Sequence, residues 1–481
     1  MIICYLISAA AILIFISCSR KINLISYMTT LSLFFLVAAA LKLYPLMKNN
    51  GVYSLMNGMI VVDSLNYIQL VLISTVSLIV SLYSRGYINH EIEEKKIDAF
   101  YAKIYYFLFN LFILSMLVVV LSANILLMWM GLEATTLSTA FLIGFNRHEL
   151  SLEAAWKYII ICSVGIALGL IGIIFFLFSI ENASYAMINW NYLAMNPDIV
   201  NPDIAKYAFA FVFIGIATKA GLAPMHTWLP DAHSESPSPI SAMMSGVLLN
   251  LALYYIIRFH MILKNVPGLE NSRQLFMIFG FISLFVSSFS ILKQKNYKRL
   301  LAFSSVENMG IIAIGIGIGS NLAIYGAILH SIIHAFGKTL LFLVSGNILN
   351  VYGTKRIEKV RNLIKVMPIN ALMLILGVLV ITGVPPFASF ISEYSILISM
   401  ISGGNYFLAG AYLFCLLIVF AGFINVFIRM VFESGDIPAE RSGMDKKNLV
   451  PLIATLTVIF YISLSQSQIN PIINNVLNLI N

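Results

Sequence analysis

Apolar residues run along this chain in blocks of about twenty, parted by short stretches that hold most of the charge. Wound as a helix at about 1.5 Å per residue, such a block crosses a hydrocarbon layer about 30 Å thick. Fourteen blocks are predicted to span: residues 2–18, 23–44, 63–84, 101–121, 123–143, 154–179, 205–225, 237–259, 274–292, 300–319, 322–350, 367–398, 405–431 and 449–465. The expected fold is an all-α polytopic membrane protein of about 14 transmembrane helices. The first block has no basic stretch ahead of its apolar core and reads as a retained span, not a signal peptide. GVYSLMNGMIVVDS, before the third block, reads as a short turn or hairpin, and INPIINNVLNLIN as an interfacial tail.

Composition agrees with that pattern. The 481 residues are 60% hydrophobic and 10% charged, and no soluble domain of this length could cover its surface so. The net charge of +8 does not point to nucleic acid, because the basic residues are spread over short loops. Their distribution sets orientation. The odd-numbered loops and adjoining helix ends hold 21 of the 29 Lys and Arg. The even loops hold six: Lys42, Lys48, Lys206, Arg258, Lys264 and Arg273. The odd loops are therefore expected in the cytoplasm and both termini outside, in a prokaryotic cell membrane. Cys4, Cys18, Cys162 and Cys415 lie far apart in apolar segments, with no CxxC, and read as small buried hydrophobes. No cofactor or metal site is expected in this chain. The longest loop, Glu181 to Ile204, is too short for a catalytic domain, so any catalytic arm must belong to another polypeptide.

Two cations belong to no loop. Lys219 is the fifteenth residue of the seventh span, and Lys338 sits mid-way along the eleventh. Glu133 is eleventh in the fifth span, and Glu393 follows the Pro385–Pro386 break in the twelfth. A charge at that depth costs from about 3 kcal/mol to well over 10, so such groups are functional candidates by default. His330, His334 and Lys338 step by four and share one helix face. The two histidines read as a proton wire, with a packed neutral pair as the alternative; no third metal ligand is evident. Lys157 near a helix start and Glu307 in SSVENMG are supporting candidates, as are His226 and Asp231 in HTWLPDAH. Desolvation favours a neutral amine and a nearby carboxylate favours the ammonium, so a deep lysine beside a movable acid loads and unloads protons. Glu133 is the expected partner of Lys219.

Gly-Leu-Ala-Pro follows Lys219 and Gly-Val-Pro-Pro precedes Glu393, which predicts broken seventh and twelfth helices lining a polar cavity. SLEAAWKYIII and NLAIYGAILHS open spans 170 residues apart, an offset of five helices. An odd number of helices inverts the second unit. The expected organisation is N-terminal helices over 1–100, a first repeat over 101–259, an inverted second repeat over 274–431, and a last helix and tail over 449–481.

TKAGLAPMHTWLPDAHSESPSPISAMMSGVLLN, KRLLAFSSVENMG, HSIIHAFGKTLLFLVSGNI and GVPPFASFISEYSIL, in that order, resemble the antiporter-like subunits shared by complex I, Mrp-type cation/proton antiporters and group 4 membrane-bound hydrogenases. WMGLEATTLSTAFLIGF and LEAAWKYIIICSVGIALGL are most similar to the F-type subunit of hydrogenase-4 and formate hydrogenlyase complexes. The resemblance implies a proton path along the membrane midplane through Glu133, Lys219, Lys338 with its histidines, and Glu393. It also implies a structural or gating role for His226 and Asp231. Nickel–iron and iron–sulfur centres are then expected in partner subunits, alongside other membrane subunits and a cytoplasmic redox arm, and the ion is a proton or sodium. One departure is Asn250, where many complex I members have lysine; water or His330 would have to bridge it. The alternatives are a complex I or Mrp subunit with the same relay, a stand-alone solute transporter, and an inert membrane anchor.

The orientation predicts that, in a chain freed of its own cysteines, Lys95→Cys in intact cells resists a membrane-impermeant maleimide while Asn196→Cys is labelled. The reverse pattern would invert the topology.

Overall fold

The computed structural model describes residues 21–480 except 50, 57, 181–187, 268, 270, 271 and 436–447. The span expected at 2–18 lies outside the described residues. The elements are α1 Ile22–Lys42, β1 Tyr53–Leu55, β2 Ile60–Val62, α2 Ser64–Glu93, α3 Ala99–Leu121, α4 Ile125–Ile143, α5 Glu149–Phe178, α6 Pro202–Ala220 and α7 Trp228–Glu235. There follow α8 Ser238–Leu263, α9 Ser272–Ile291, α10 Tyr297–Ile318, α11 Asn321–Tyr352, α12 Pro368–Ile381, α13 Ala388–Ser402, α14 Tyr406–Phe432, α15 Leu449–Leu464 and α16 Gln466–Ile480. Among the described residues, eleven helices are long and apolar enough to cross a membrane on their own, counting α6 with α7 as one. The shorter pair α12 and α13 makes one broken crossing, and α15 is bent from α16 by 74°. The chain is a multi-pass α-helical membrane protein.

The expected hairpin forms: β1 and β2 pair antiparallel, with Tyr53 opposite Val62. The tail is a helix whose Ile472, Ile473, Val476 and Ile480 are buried in the main core. Lys264 and Asn475 tie it down by donating to the carbonyls of Leu479 and Met47, both at 2.7 Å.

Loop contacts respect parity. Loops two, four and six meet through the bridges Ile60 to Ser122 and Asn124 to Asn189. Loops nine and eleven meet through Asn296 and Arg356, and Lys355 reaches Glu235 of loop seven at 2.7 Å. Loops two, four and six thus gather together, and so do loops seven, nine and eleven. The deepest helices are α8 and α11, whose most apolar windows are wholly buried, against 33% for α14 at the rim. A helix that is apolar all round is stable only inside a large core or against lipid, and these two are inside. Rim residues such as Phe407 and Phe178 present large apolar side chains outward, as a lipid-facing surface requires. The α5–α6 contact is close because Gly215 lies against the backbone of Gly165 and Gly169, leaving no room for a side chain.

The even-loop face is locked by one buried ion pair. Arg258, assigned from sequence to a loop end, lies within α8 and is 1% exposed. Its guanidinium grips Asp63 with two nitrogens, one at 2.7 Å, and stacks 4.1 Å from the Trp190 ring. Asp63 also caps α2, accepting from the backbone N–H groups of Leu65 and Asn66, both at 3.0 Å. The pair thus ties the hairpin, α2, α8 and loop six together. Removing one partner strands a buried charge, at a cost of about 3–5 kcal/mol. Asp63→Ala should therefore lower the thermal midpoint sharply, and the double change Asp63→Leu with Arg258→Met should recover most of it. An unchanged midpoint in the single variant would show that the pair does not hold this face.

Candidate functional site

Asn201 caps α6, with Pro202 at its first position, and the helix ends where Gly221 takes φ 74°. A left-handed residue there is a glycine requirement and turns the chain out of the helix. Lys219, in the last turn, is wholly buried beside the negative end of the α6 dipole. Its Nζ donates to Thr136 Oγ1 at 2.9 Å and to the Tyr158 hydroxyl, and sits 4.7 Å from the Tyr158 ring centre. Tyr158 shares a 2.6 Å hydrogen bond with Thr139. Glu133, one turn before Thr136 on α4, accepts from Ser163 Oγ at 3.1 Å, and its Oε2 is buried without a partner. Glu133, expected as the partner of Lys219, makes no contact ion pair with it. Hydroxyls solvate the ammonium directly.

The second cluster lies on α10, α11 and α13. Lys338, also wholly buried, donates to the Leu301 carbonyl at 2.8 Å and to Ser304 Oγ. Glu307 accepts from its neighbour Asn308 at 2.8 Å. Asn308 Oδ1 meets His330 Nε2 at 2.9 Å, and His330 Nδ1 meets Ser392 Oγ at 2.8 Å. A continuous string therefore runs Glu307–Asn308–His330–Ser392 and ends beside Glu393. The Glu393 carboxylate packs over Gly383, at φ 64° in the break between α12 and α13. It lines a cavity of about 320 Å³ with Tyr394, Tyr412 and Thr382.

Between the clusters stands α8, whose first half has a π-helical turn over Met244–Leu248. Such turns mark functional positions. Asn250 follows it, donating to the carbonyls of Gly246 at 2.9 Å and Ser331 at 3.2 Å. Its Oδ1 is buried without a partner, as are both ring nitrogens of His334 and of His233. Buried polar atoms are nearly always satisfied by protein or ordered water. Asn250 thus keeps one unpartnered oxygen on α8, beside the α11 backbone at Ser331. His330, expected to bridge it, is engaged on the other side with Asn308 and Ser392.

The remaining candidates are placed elsewhere. Lys157 is 47% exposed and pairs with Glu153 at 2.6 Å and Asp231 at 3.2 Å, and Asp231 also pairs with Arg299. His226 is buried in the α6–α7 break with its ring edge on Phe303. Asp231 and Glu393 each stand ten residues beyond the left-handed glycine of their break, Gly221 and Gly383. By that local geometry it is Asp231, and not Lys219, that matches Glu393. Among the described residues no group of three or more His, Cys, Asp and Glu is arranged to hold a metal ion.

Sequence reasoning passed over Thr136, Tyr158, Asn308, Ser392 and His233. His233 lay in view in the PDAHSES stretch, whereas the others are neutral residues inside apolar spans.

Comparison with known proteins agrees with this geometry. Residues 122–421 match the transmembrane family described as NADH:quinone oxidoreductase/Mrp antiporter. The hydrogenase-4 component F homolog of Methylacidiphilum infernorum is 37% identical over 341 residues, covering 70% of this chain and 72% of that one. Hydrogenase-4 component B of Escherichia coli is 33% identical over 344 residues; the match takes in 69% of this chain but only 49% of that longer relative. A chain in the archaeal membrane-bound sulfane sulfur reductase, a respiratory membrane complex, superposes with TM-score 0.85 at 23% identity, over 99% of this chain and 96% of its own.

Gly383→Ala would force a methyl group into the Glu393 carboxylate at a backbone angle that alanine resists. Its thermal midpoint should fall by an amount equivalent to about 1 kcal/mol or more, whereas Gly410→Ala, in open space within α14, should leave it unchanged or raise it. Equal midpoints in the two variants would contradict this packing.

Proposed function

We propose that this chain, which belongs to the NADH:quinone oxidoreductase/Mrp antiporter transmembrane family, moves protons across the membrane as a non-redox subunit of a redox-driven complex. The partner best supported is a group 4 [NiFe]-hydrogenase of the hydrogenase-4/formate hydrogenlyase type, since the 37% identical relative is a hydrogenase-4 component F homolog. In this reading a cytoplasmic arm holds the nickel–iron and iron–sulfur centres. The odd loops, rich in Lys and Arg, face that arm. Residues 101–259 and 274–431 are the two inverted units, each contributing one broken helix.

The observation that supports the reading most is the setting of the two buried lysines. Lys219 and Lys338 are each held by hydroxyl or carbonyl oxygens, with no carboxylate in contact. An ammonium so held can lose its proton without breaking an ion pair. The acids that govern it stand one turn from the hydroxyls that hold it, Glu133 from Thr136 and Glu307 from Ser304, and act at a distance. At an effective dielectric of about 20, moving a unit charge from about 5 to about 10 Å away changes the interaction by about 1.7 kcal/mol. That is slightly more than one pK unit. A modest charge displacement at one lysine therefore resets proton affinity at the next.

The relay runs from Glu133 and Lys219, past Asn250 and His334, to Lys338, and on through Glu307, Asn308, His330 and Ser392 to Glu393. Ordered water on the unpartnered atoms of Asn250 and His334 supplies the middle step. His226 and the Asp231–Lys157–Arg299 cluster brace the break and the loop face around this path.

Lys219→Ala in the assembled complex, reconstituted in vesicles and driven by its redox reaction, should abolish proton pumping with subunit composition unchanged. Glu133→Gln should slow pumping severely. Normal proton stoichiometry in the lysine variant would refute the relay.

A further inference from the structure

A second set of buried titratable groups lies outside the midplane string. On the odd-loop face, loops five, seven, nine and eleven converge on an open cavity of about 530 Å³ lined by His148, Glu149, Leu150, Glu235, Asn296 and Lys355. Glu235 ends α7, the short half of the broken seventh span, and so stands where that half reaches the surface. Its Oε2 lies 2.7 Å from Lys355 Nζ and 3.6 Å from His148 Nε2. Its Oε1 accepts from Ser234 Oγ at 2.9 Å, which in turn accepts from Asn296 at 2.9 Å.

Directly inward is Lys298, 1% exposed, whose Nζ donates to one acceptor, the Ser236 carbonyl, at 2.8 Å. Ser236 shares a 2.7 Å hydrogen bond with Ser241, and Ser241 donates to the His233 carbonyl at 2.9 Å. The His233 ring is wholly buried, stacked between Trp228 and Phe342, with both nitrogens unpartnered. Phe342 stands one turn beyond Lys338 on α11, so the ring packs against the helix that holds that lysine.

A tie between loops would account for Glu235 and Lys355. It does not account for a second buried ammonium behind them with a lone carbonyl acceptor, nor for an unsatisfied imidazole packed against α11 one turn from Lys338. Isolated buried charge costs several kcal/mol. A graded series of titratable groups from water to the relay is what proton access requires, and the other groups facing Glu235 are Lys355, His148 and Lys298.

We propose that Glu235 is the port by which protons from the odd-loop side reach Lys338, passing the Lys298 pocket and the His233 ring. The Glu235 carboxylate takes a proton from bulk water and yields it inward. His233 accepts on one ring nitrogen and releases from the other, and the neutral Lys338 amine receives it. Only O–H and N–H bonds are made and broken. Lys298 holds the local charge constant and keeps the port selective for cations that arrive as protons on a carboxyl group. This rests on Lys338 being a relay group, as argued above.

The test uses the intact complex in vesicles, with pH varied on the odd-loop side alone. Glu235→Gln should slow proton uptake from that side by about tenfold or more and remove its dependence on that compartment's pH. Glu235→Asp should restore most of the rate, with assembly equal in all variants. A wild-type rate and pH profile in Glu235→Gln overturns the port. So does a loss of pumping that tracks a loss of assembled complex, which marks a structural tie. Lys338→Ala separates the two levels: if it stops pumping while Glu235→Gln does not, only the port fails, and if it pumps normally the relay fails with it.

Discussion

An ammonium group in an apolar interior is stable only if something replaces its water, and the rest of this fold is arranged around meeting that demand twice. Lys219 is placed at a helix C-terminus, against two hydroxyls and an aromatic face. Lys338 is placed against the Leu301 carbonyl of α10 and a serine hydroxyl. Neutral dipoles hold a cation less firmly than a carboxylate would, and they also tolerate the neutral amine. A contact ion pair such as Arg258 with Asp63 has the opposite character. It locks, and it sits on the even-loop face away from the path. The same chain thus separates charges that must stay from charges that must change.

The broken helices follow from this. A continuous α6–α7 would place Lys219 in mid-helix, away from any terminal dipole; Gly221 ends the helix just beyond it. The second break brings Gly383 under the Glu393 carboxylate, where only a residue without a side chain fits. Each break also delivers an acidic group ten residues on, Asp231 at the odd-loop face and Glu393 beside a cavity at the α13–α14 side. One architectural device serves both halves of the chain, with different acids paired to different surroundings.

Much of this was legible in one dimension. Charges inside apolar blocks announce themselves, so Glu133, Lys219, Lys338 and Glu393 could be read without coordinates, as could Gly-x-x-Pro breaks and loop parity. Contacts could not. Thr136 and Tyr158 look like ordinary span residues until folding sets them around Lys219, and helix α5 must be rotated correctly for Tyr158 to face inward. The direction in which His330 points depends on Asn308 and Ser392, on two other helices. Arg258 falls inside the predicted span 237–259 but is counted with the adjoining loop; because α8 runs on to Leu263, it lies a full turn inside the helix and is buried.

The account's central claim is that a wet, proton-conducting path joins the two lysines across α8. A map of the intact complex sharp enough to resolve ordered water tests it most directly. The account predicts water within hydrogen-bonding distance of Asn250 Oδ1 and of the His334 ring, forming an unbroken chain between Lys219 and Lys338. Dry side-chain packing across that gap, with those atoms capped by protein groups, would contradict it.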